Sequence, residues 1–307
     1  MSFNKSAVAG FVNANEKELI TASILGAKTL QSIKYQPGVK GSAQINTLTD
    51  GVTIQDGSAC GWNAAGTTTL SKRNIVTGKF KVNEALCERD LVGTFAEYEL
   101  KIQVGLEKLP FEAVITDAKV KGIQKAVELL AWNGDTTGGT STYLDITDGL
   151  VKIIGSAAGV VDATPTGATT LLANSIDAIN LMVANIPVEV IDADDLTIFA
   201  GYDVVMKYIT AYNASNQFAG TLMLDGKTMS VTIPNTMIKL QGVGGLNGKN
   251  KAYLTPASNL VAGGDIQGDE AQFKLWYSDD NQEFRFVNKF NIGFNCAFPS
   301  YIVKYTK

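Results

Sequence analysis

Residues 284–298 read Phe-Arg-Phe-Val-Asn-Lys-Phe-Asn-Ile-Gly-Phe-Asn-Cys-Ala-Phe. Phe284, Phe286, Phe290, Ile292, Phe294, Cys296 and Phe298 hold alternate places, with Arg285, Lys289, Asn291 and Asn295 between them. A period of two sends successive side chains to opposite faces of a strand, and at about 3.3 Å per residue the run spans roughly 50 Å. It predicts one long strand with one face on a core and the other toward a polar environment. Gly293 is a candidate bend. Pro299 interrupts the pattern, and Tyr301, Val303 and Tyr305 resume it in the opposite phase.

The other long element is helical. Pro110 suits a first helical turn. Phe111, Val114, Ile115, Ala118, Gly122, Ala126 and Leu130 then follow one stripe at helical period, and Gly134 is a plausible stop. A helix over 110–132 is about 33 Å long, enough to act as a spine. It and the long strand each have one apolar side, so the two are expected to pack together. Residues 16–33 read as another helix, with Asn15 as cap and Glu16 and Glu18 in the first turn, before Pro37-Gly38 ends it.

Between these helices, residues 40–85 are punctuated by Gly41, Gly51, Gly57, Gly61, Gly66 and Gly78 within runs rich in Thr, Ile and Val. This is strand-and-turn composition too thin in apolar residues for a core of its own. It reads as a two-stranded excursion that needs a partner surface. Trp62 on it packs on its own hairpin or anchors to a neighbour. After the long helix come a polar loop from Asn133, the turn Asp148-Gly149-Leu150, and a helix over 169–185 broken by Pro187. A buried-type strand at Leu196–Ala200 follows, then a helix from Gly201-Tyr202-Asp203 to about Tyr212. With strands at 229–233, 237–240 and 251–254, this alternation predicts an α/β layer over 169–262. Gly242-Val-Gly-Gly-Leu-Asn-Gly248 reads as a mobile loop.

Composition excludes more than it assigns. The 307 residues are 45% hydrophobic and 18% charged, so a sizeable core can form. The net charge of −4 gives no basic excess for gripping nucleic acid through phosphates. There is no His, which removes Ser-His-Asp and Cys-His catalysis and His-ligated metals. Cys60, Cys87 and Cys296 are too dispersed for a disulfide framework or a zinc pattern. The apolar stretch from Ala7 to Val12, preceded by Lys5, is too short for the apolar region of a signal peptide, and no apolar window reaches the ~20 residues of a membrane span; synthesis in the cytoplasm is expected.

Chemical motifs fail on spacing. Gly220–Gly226 encloses five residues where a phosphate loop needs four. In Gly242–Gly248 the third glycine falls one residue late for a dinucleotide fingerprint. Asp192, Asp194 and Asp195 lack the sixth-place glycine of a calcium loop, where Thr197 stands, and its closing Glu. They read as a solvated turn, as do Asp145 and Asp148. Trp62, Trp132 and Trp276 are scattered, and Trp132 is expected in the core. No catalytic, cofactor-binding or metal-ligating residue is assigned, and no cofactor is expected. The one exception left open is calcium between subunits, near Asp192, Asp194 and Asp195.

The order of these elements resembles the tailed-bacteriophage major capsid proteins, the Hong Kong ninety-seven fold. Ala126-Val-Glu-Leu-Leu-Ala-Trp-Asn-Gly134-Asp135 is similar to that family's spine-helix ending. Asp195–Ala200 followed by Tyr202–Met206 resembles its axial strand and helix. Lys251–Val261 resembles a late axial strand, and Asn281–Val287 through Phe298–Lys304 its final peripheral strands. The resemblance covers nearly the whole chain. It implies an α+β fold with an N-terminal arm at 1–38, an extended β-hairpin loop at 39–88, a peripheral domain at 89–160 with the spine helix 110–132, an axial domain at 161–267, and a return to the peripheral domain at 268–307.

Its functional implication is a non-enzymatic shell subunit. It would self-assemble through pentamers and hexamers into an icosahedral virion head that encloses double-stranded DNA without sequence-specific binding. Portal, scaffolding or decoration proteins are its implied partners, and no membrane is. About 35 residues precede the ribbon, so no cleaved scaffolding segment is expected, and a separate scaffold or none is implied. An encapsulin-type nanocompartment enclosing enzyme cargo is the alternative. A tail or fibre protein fits the ribbon but not the long helix.

Overall fold

The computed structural model describes residues 12, 14–57, 61–62, 64–87, 111–139, 141–165, 170–215, 222–225, 229–265 and 272–307, with backbone alone at 111–113. Cys60, Pro110, Gly220 and residues 226–228 lie outside the described residues.

The alternating C-terminal run is the middle of a mixed sheet. This first sheet holds β1 (Lys34–Pro37), β4 (Gly78–Cys87), β10 (Leu260–Asp265), β11 (Gln272–Ser278) and β12 (Glu283–Cys296). Along one side β12 pairs with β11 and then β10; along the other it pairs with β4, from Glu283↔Cys87 to Ile292↔Gly78. A second sheet runs in the order β5 (Val161–Asp162), β13 (Val303–Thr306), β9 (Lys251–Pro256), β6 (Leu196–Gly201), β8 (Lys239–Val243), β7 (Ser230–Thr232). The helices are α1 (Glu16–Leu25), α2 (Lys28–Ser32), α3 (Phe111–Asn133), α4 (Leu150–Ser156), α5 (Ser175–Ala184) and α6 (Tyr202–Ser215). Among the described residues no helix is long and apolar enough to cross a membrane.

Two cores follow from the two sheets. Phe284, Phe286, Phe290, Ile292 and Phe294 of β12 share the first core with Val120, Ile123, Val127 and Leu130 of α3. Both faces meet in one core, but through intermediaries: α1 lies against both α3 and β11, and α4 against both α3 and β12. Ile198, Ala200, Leu240 and Leu254 face a second core built with α5 and α6. Phe199, Val243 and Tyr253, at alternate places on the same strands, point into the first core instead. The central strand β6 is therefore buried on both faces, which explains its unbroken apolar run.

Several expectations change. The 16–33 helix is two helices, because Ala27 is extended at φ −63°, ψ 134°. The helix expected from 169 begins at Ser175. The ribbon is shorter than 40–85: β2 (Ser42–Gly51) and β3 (Thr67–Val76) form it, while residues 78–87 are β4, held full length against β12. β10 and β13 cross the expected boundaries, since β10 lies in the first sheet and β13 in the second; pairing partners, not chain order, decide membership. The Gly242–Gly248 stretch is no mobile loop in its first half. It holds the end of β8 and a buried turn at Gly244–Leu246, and a Cβ on Gly245 would stand 2.6 Å from Trp132 Cδ1.

The second face of β12 also differs from expectation. It is polar and open only toward its N-terminal half; from Phe290 to Cys296 every residue is buried. The cover is the foot of the ribbon, where Ile75 and Val39 lie on Gly263. Gly293 is not a bend but a place of close approach, since a Cβ there would stand 2.1 Å from Val76 O. Gly293→Ala is expected to destabilise the fold by about 1–3 kcal/mol through overpacking, read as a lower urea midpoint; an unchanged midpoint would show that the ribbon foot is not seated on the sheet.

Candidate assembly surfaces

The ribbon is fixed at one end and bare at the other. Its register runs from Ser42↔Val76 to Gly51↔Thr67. At the foot, Thr77 N donates to Gly41 O at 2.8 Å, Asn295 Nδ2 donates to Asn74 O at 2.7 Å, and Arg73 Nη2 donates to Asn295 Oδ1 at 3.2 Å. Farther out, Leu48 sits opposite Leu70 and both are exposed, as are Val52 and Ile54. Trp62 is 95% exposed. An isolated two-stranded hairpin is marginal in water, and clustered exposed apolar side chains mark a surface for a partner.

The body that carries the ribbon is fastened by a buried carboxylate. Glu128 lies on α3, one helical turn before Trp132, and is 6% exposed. Its Oε2 accepts from Thr29 N at 2.9 Å and its Oε1 from Thr29 Oγ1 at 2.6 Å. The same hydroxyl accepts from Trp132 Nε1 at 2.7 Å. The Trp132 ring stacks on Tyr253 at 5.7 Å and tilts against Phe199 at 5.6 Å. Next to it, Asn133 Nδ2 donates to Gly245 O at 2.6 Å. Burial pushes the Glu128 carboxyl up, opposed by hydrogen bonds from Thr29 and the Gly244 backbone and by the Lys28 ammonium. Trp132 was legible as a core residue. Glu128 and Thr29 were not; the one available signal was an acid four residues before a core tryptophan.

Other polar side chains hold local turns. Asp135 and Asp148 both hold Lys152 Nζ, at 2.7 and 2.8 Å. Hydrogen bonds from Lys152 and Thr137 hold the Asp135 carboxyl down at about 2. They pin the turn after α3 to α4, and Asp145 sits in that same loop at the end of a short 3₁₀ turn. Asp195 accepts from Ser258 N at 2.8 Å, while Asp192 and Asp194 stay exposed. Among the described residues no three His, Cys, Asp or Glu side chains group as metal ligands. Cys87 is exposed on β4, Cys296 is buried on β12, and Trp276 is 41% exposed on β11.

No protein-family model matches this sequence, and no curated protein does. Solved structures do match its fold. A chain of the satellite phage P4 procapsid that includes the size-determination (Sid) protein aligns with TM-score 0.62 at 12% identity, over 95% of this chain and 90% of that one. A chain from the capsid of an empty GTA particle aligns with TM-score 0.57 at 13% identity, over 93% and 89%. The virus-like particle from Pyrococcus furiosus aligns with TM-score 0.51 at 11% identity, over 95% and 98%. The chain has the α+β fold of these capsid subunits.

The buried carboxyl gives a signed pH dependence. Its folded value is raised above the ordinary 4.5, so its stabilising contribution is whole below that value and is lost as pH rises through the folded value. Urea midpoints of the parent should fall over this window relative to those of Glu128→Gln, which has no proton to lose there. A constant difference between the two proteins from pH 4 to 8 would count against the buried ionisation.

Proposed function

We propose that this chain is the major shell subunit of a tailed-phage head, self-assembling through pentamers and hexamers into an icosahedral shell around double-stranded DNA. The observation that carries the proposal is an α+β body of capsid fold bearing a ribbon held at its foot, with Leu48, Val52, Ile54, Trp62 and Leu70 exposed farther out. A ribbon of this kind gains stability by lying on another subunit. Repetition of one such head-to-tail contact closes into rings. In this reading residues 1–38 form the arm, 39–88 hold the extended loop, and the first and second sheets centre the peripheral and axial domains. The chain is a building block and not a catalyst, works in the virion after synthesis in the host cytoplasm, and meets portal, scaffolding or decoration proteins there.

A second reading, a nanocompartment shell around protein cargo, draws on the likeness to the virus-like particle from Pyrococcus furiosus. Electron microscopy of purified particles separates the two: DNA inside supports the first, protein cargo the second, and the absence of closed particles overturns both. In assembled particles Trp62 is expected to be buried against a different chain. Its fluorescence should become inaccessible to an aqueous quencher on assembly, and Trp62→Ala should raise the protein concentration needed for assembly. A Trp62 that stays quenchable in closed shells would remove the ribbon from the contact.

A further inference from the structure

Cations gather on one face of the first sheet. Lys79 and Lys81 of β4, Arg285 and Lys289 of β12 and Lys274 of β11 all lie on the pleat opposite the buried phenylalanines. Lys81 stands directly across from Lys289 in the register. Like charges so placed destabilise a sheet. Arg285 is paired with Glu283 at 2.9 Å; Lys81 and Lys289 have no ion pair among the described residues. Lys79, Lys81 and Lys289 also line a cleft of about 710 Å³, together with Phe80, Tyr143 and Ile146. Tyr143 and Ile146 are 41% and 45% exposed. The cleft thus joins apolar wall to the charges of Lys81 and Lys289, neither of them in an ion pair among the described residues.

The inverse surface lies on the second sheet's side of the same chain. The turn Pro187-Val-Glu-Val-Ile-Asp-Ala-Asp194 carries Val188 and Ile191 outward, 82% and 56% exposed, between Glu189, Asp192 and Asp194. None of these three acids has an ion pair among the described residues. The turn is preset. Val190 N donates to Pro187 O at 3.1 Å, Ala193 N to Val190 O at 3.1 Å, the Val190 side chain is buried, and Asp195 is tied to Ser258. The ribbon's acids are a poorer match, because Asp50 accepts from Thr68 Oγ1 at 2.9 Å and Asp56 also has a partner within the chain.

We infer that the acidic turn 188–194 of one copy docks into the lysine-lined cleft of the next, with Val188 and Ile191 against Tyr143 and Ile146 and the acids facing Lys81 and Lys289. Both surfaces are exposed in the single chain, so the occupant is a second copy. The contact is heterologous, the type that propagates into rings. It rests on the shell reading for its place in an assembly, but not for its existence as a contact.

The test is charge exchange in full-length protein at low salt, where such pairs are least screened. Lys81→Glu/Lys289→Glu and Asp192→Lys/Asp194→Lys should each weaken self-association by about tenfold or more, given two exposed pairs turned from attraction to repulsion. The protein carrying all four changes should recover most of that loss, read by light scattering. Thermal unfolding checks that every variant is folded. An acidic-turn variant that associates like the parent, or a fourfold variant without recovery, overturns the contact. So does recovery of the lysine variant by Asp50→Lys/Asp56→Lys, which assigns the cleft to the ribbon, or unchanged association with lost DNA retention. Closed parental shells with indifferent variants sink the contact alone. Open oligomers that obey the charge exchange sink the shell reading alone, and a monomeric parent sinks both.

Discussion

Three remote segments of the chain meet at one buried carboxylate. Glu128 has left water, and a carboxylate that does so must be met by donors or surrender its charge. Thr29 supplies two donors and the Gly244 backbone a third. These come from the N-terminal helices and from the second sheet's glycine turn, while the acid itself rides on the long helix. Three distant segments are thereby held at one point. Trp132, four residues on, completes the joint by bonding the same threonine and stacking on Tyr253. The long helix so belongs to the first core along its length and to the second sheet at its end.

That joint ties the body together, and the ribbon is anchored to the same body at its foot. In the proposed shell, an anchored foot would leave less freedom to lose on docking, so more of the contact energy would remain as affinity. The ribbon's foot is packed like an interior, with Ile75 fully buried and Val76 O close above Gly293. Its outer strands carry Leu48 and Leu70, both exposed. The transition from core-like foot to bare tip happens within one pair of strands.

The surface charges are sorted in the same spirit. Lys and Arg number 26 against 30 Asp and Glu. Five of the cations share one sheet face with Glu283, while Glu189, Asp192 and Asp194 crowd the exposed turn before β6. Such sorting orients encounters and penalises wrong pairings more than it adds affinity. An assembly held this way responds to salt, because exposed charges are screened within about 10 Å at 0.1 M.

Period and spacing in the sequence were enough for the long strand, the long helix, the glycine-punctuated ribbon and the buried strand at 196–200. Each is a local pattern, and local patterns follow from backbone geometry that any window of residues reveals. Trp132 in the core and Trp62 on the ribbon belong to the same class. What the sequence could not contain was which faces meet. Gly293 reads as a bend until Val76 is seen above it, and Gly245 as flexible until Trp132 lies on it, since a glycine does not announce whether it turns or makes room. Glu128 shows no local sign of its partner, since Thr29 lies ninety-nine residues away along the chain. The lysines of β4 and β12 become one patch only through a register that pairs residue 81 with residue 289. Packing contacts between remote segments depend on the free energy of the whole chain, so the tertiary structure alone decided them.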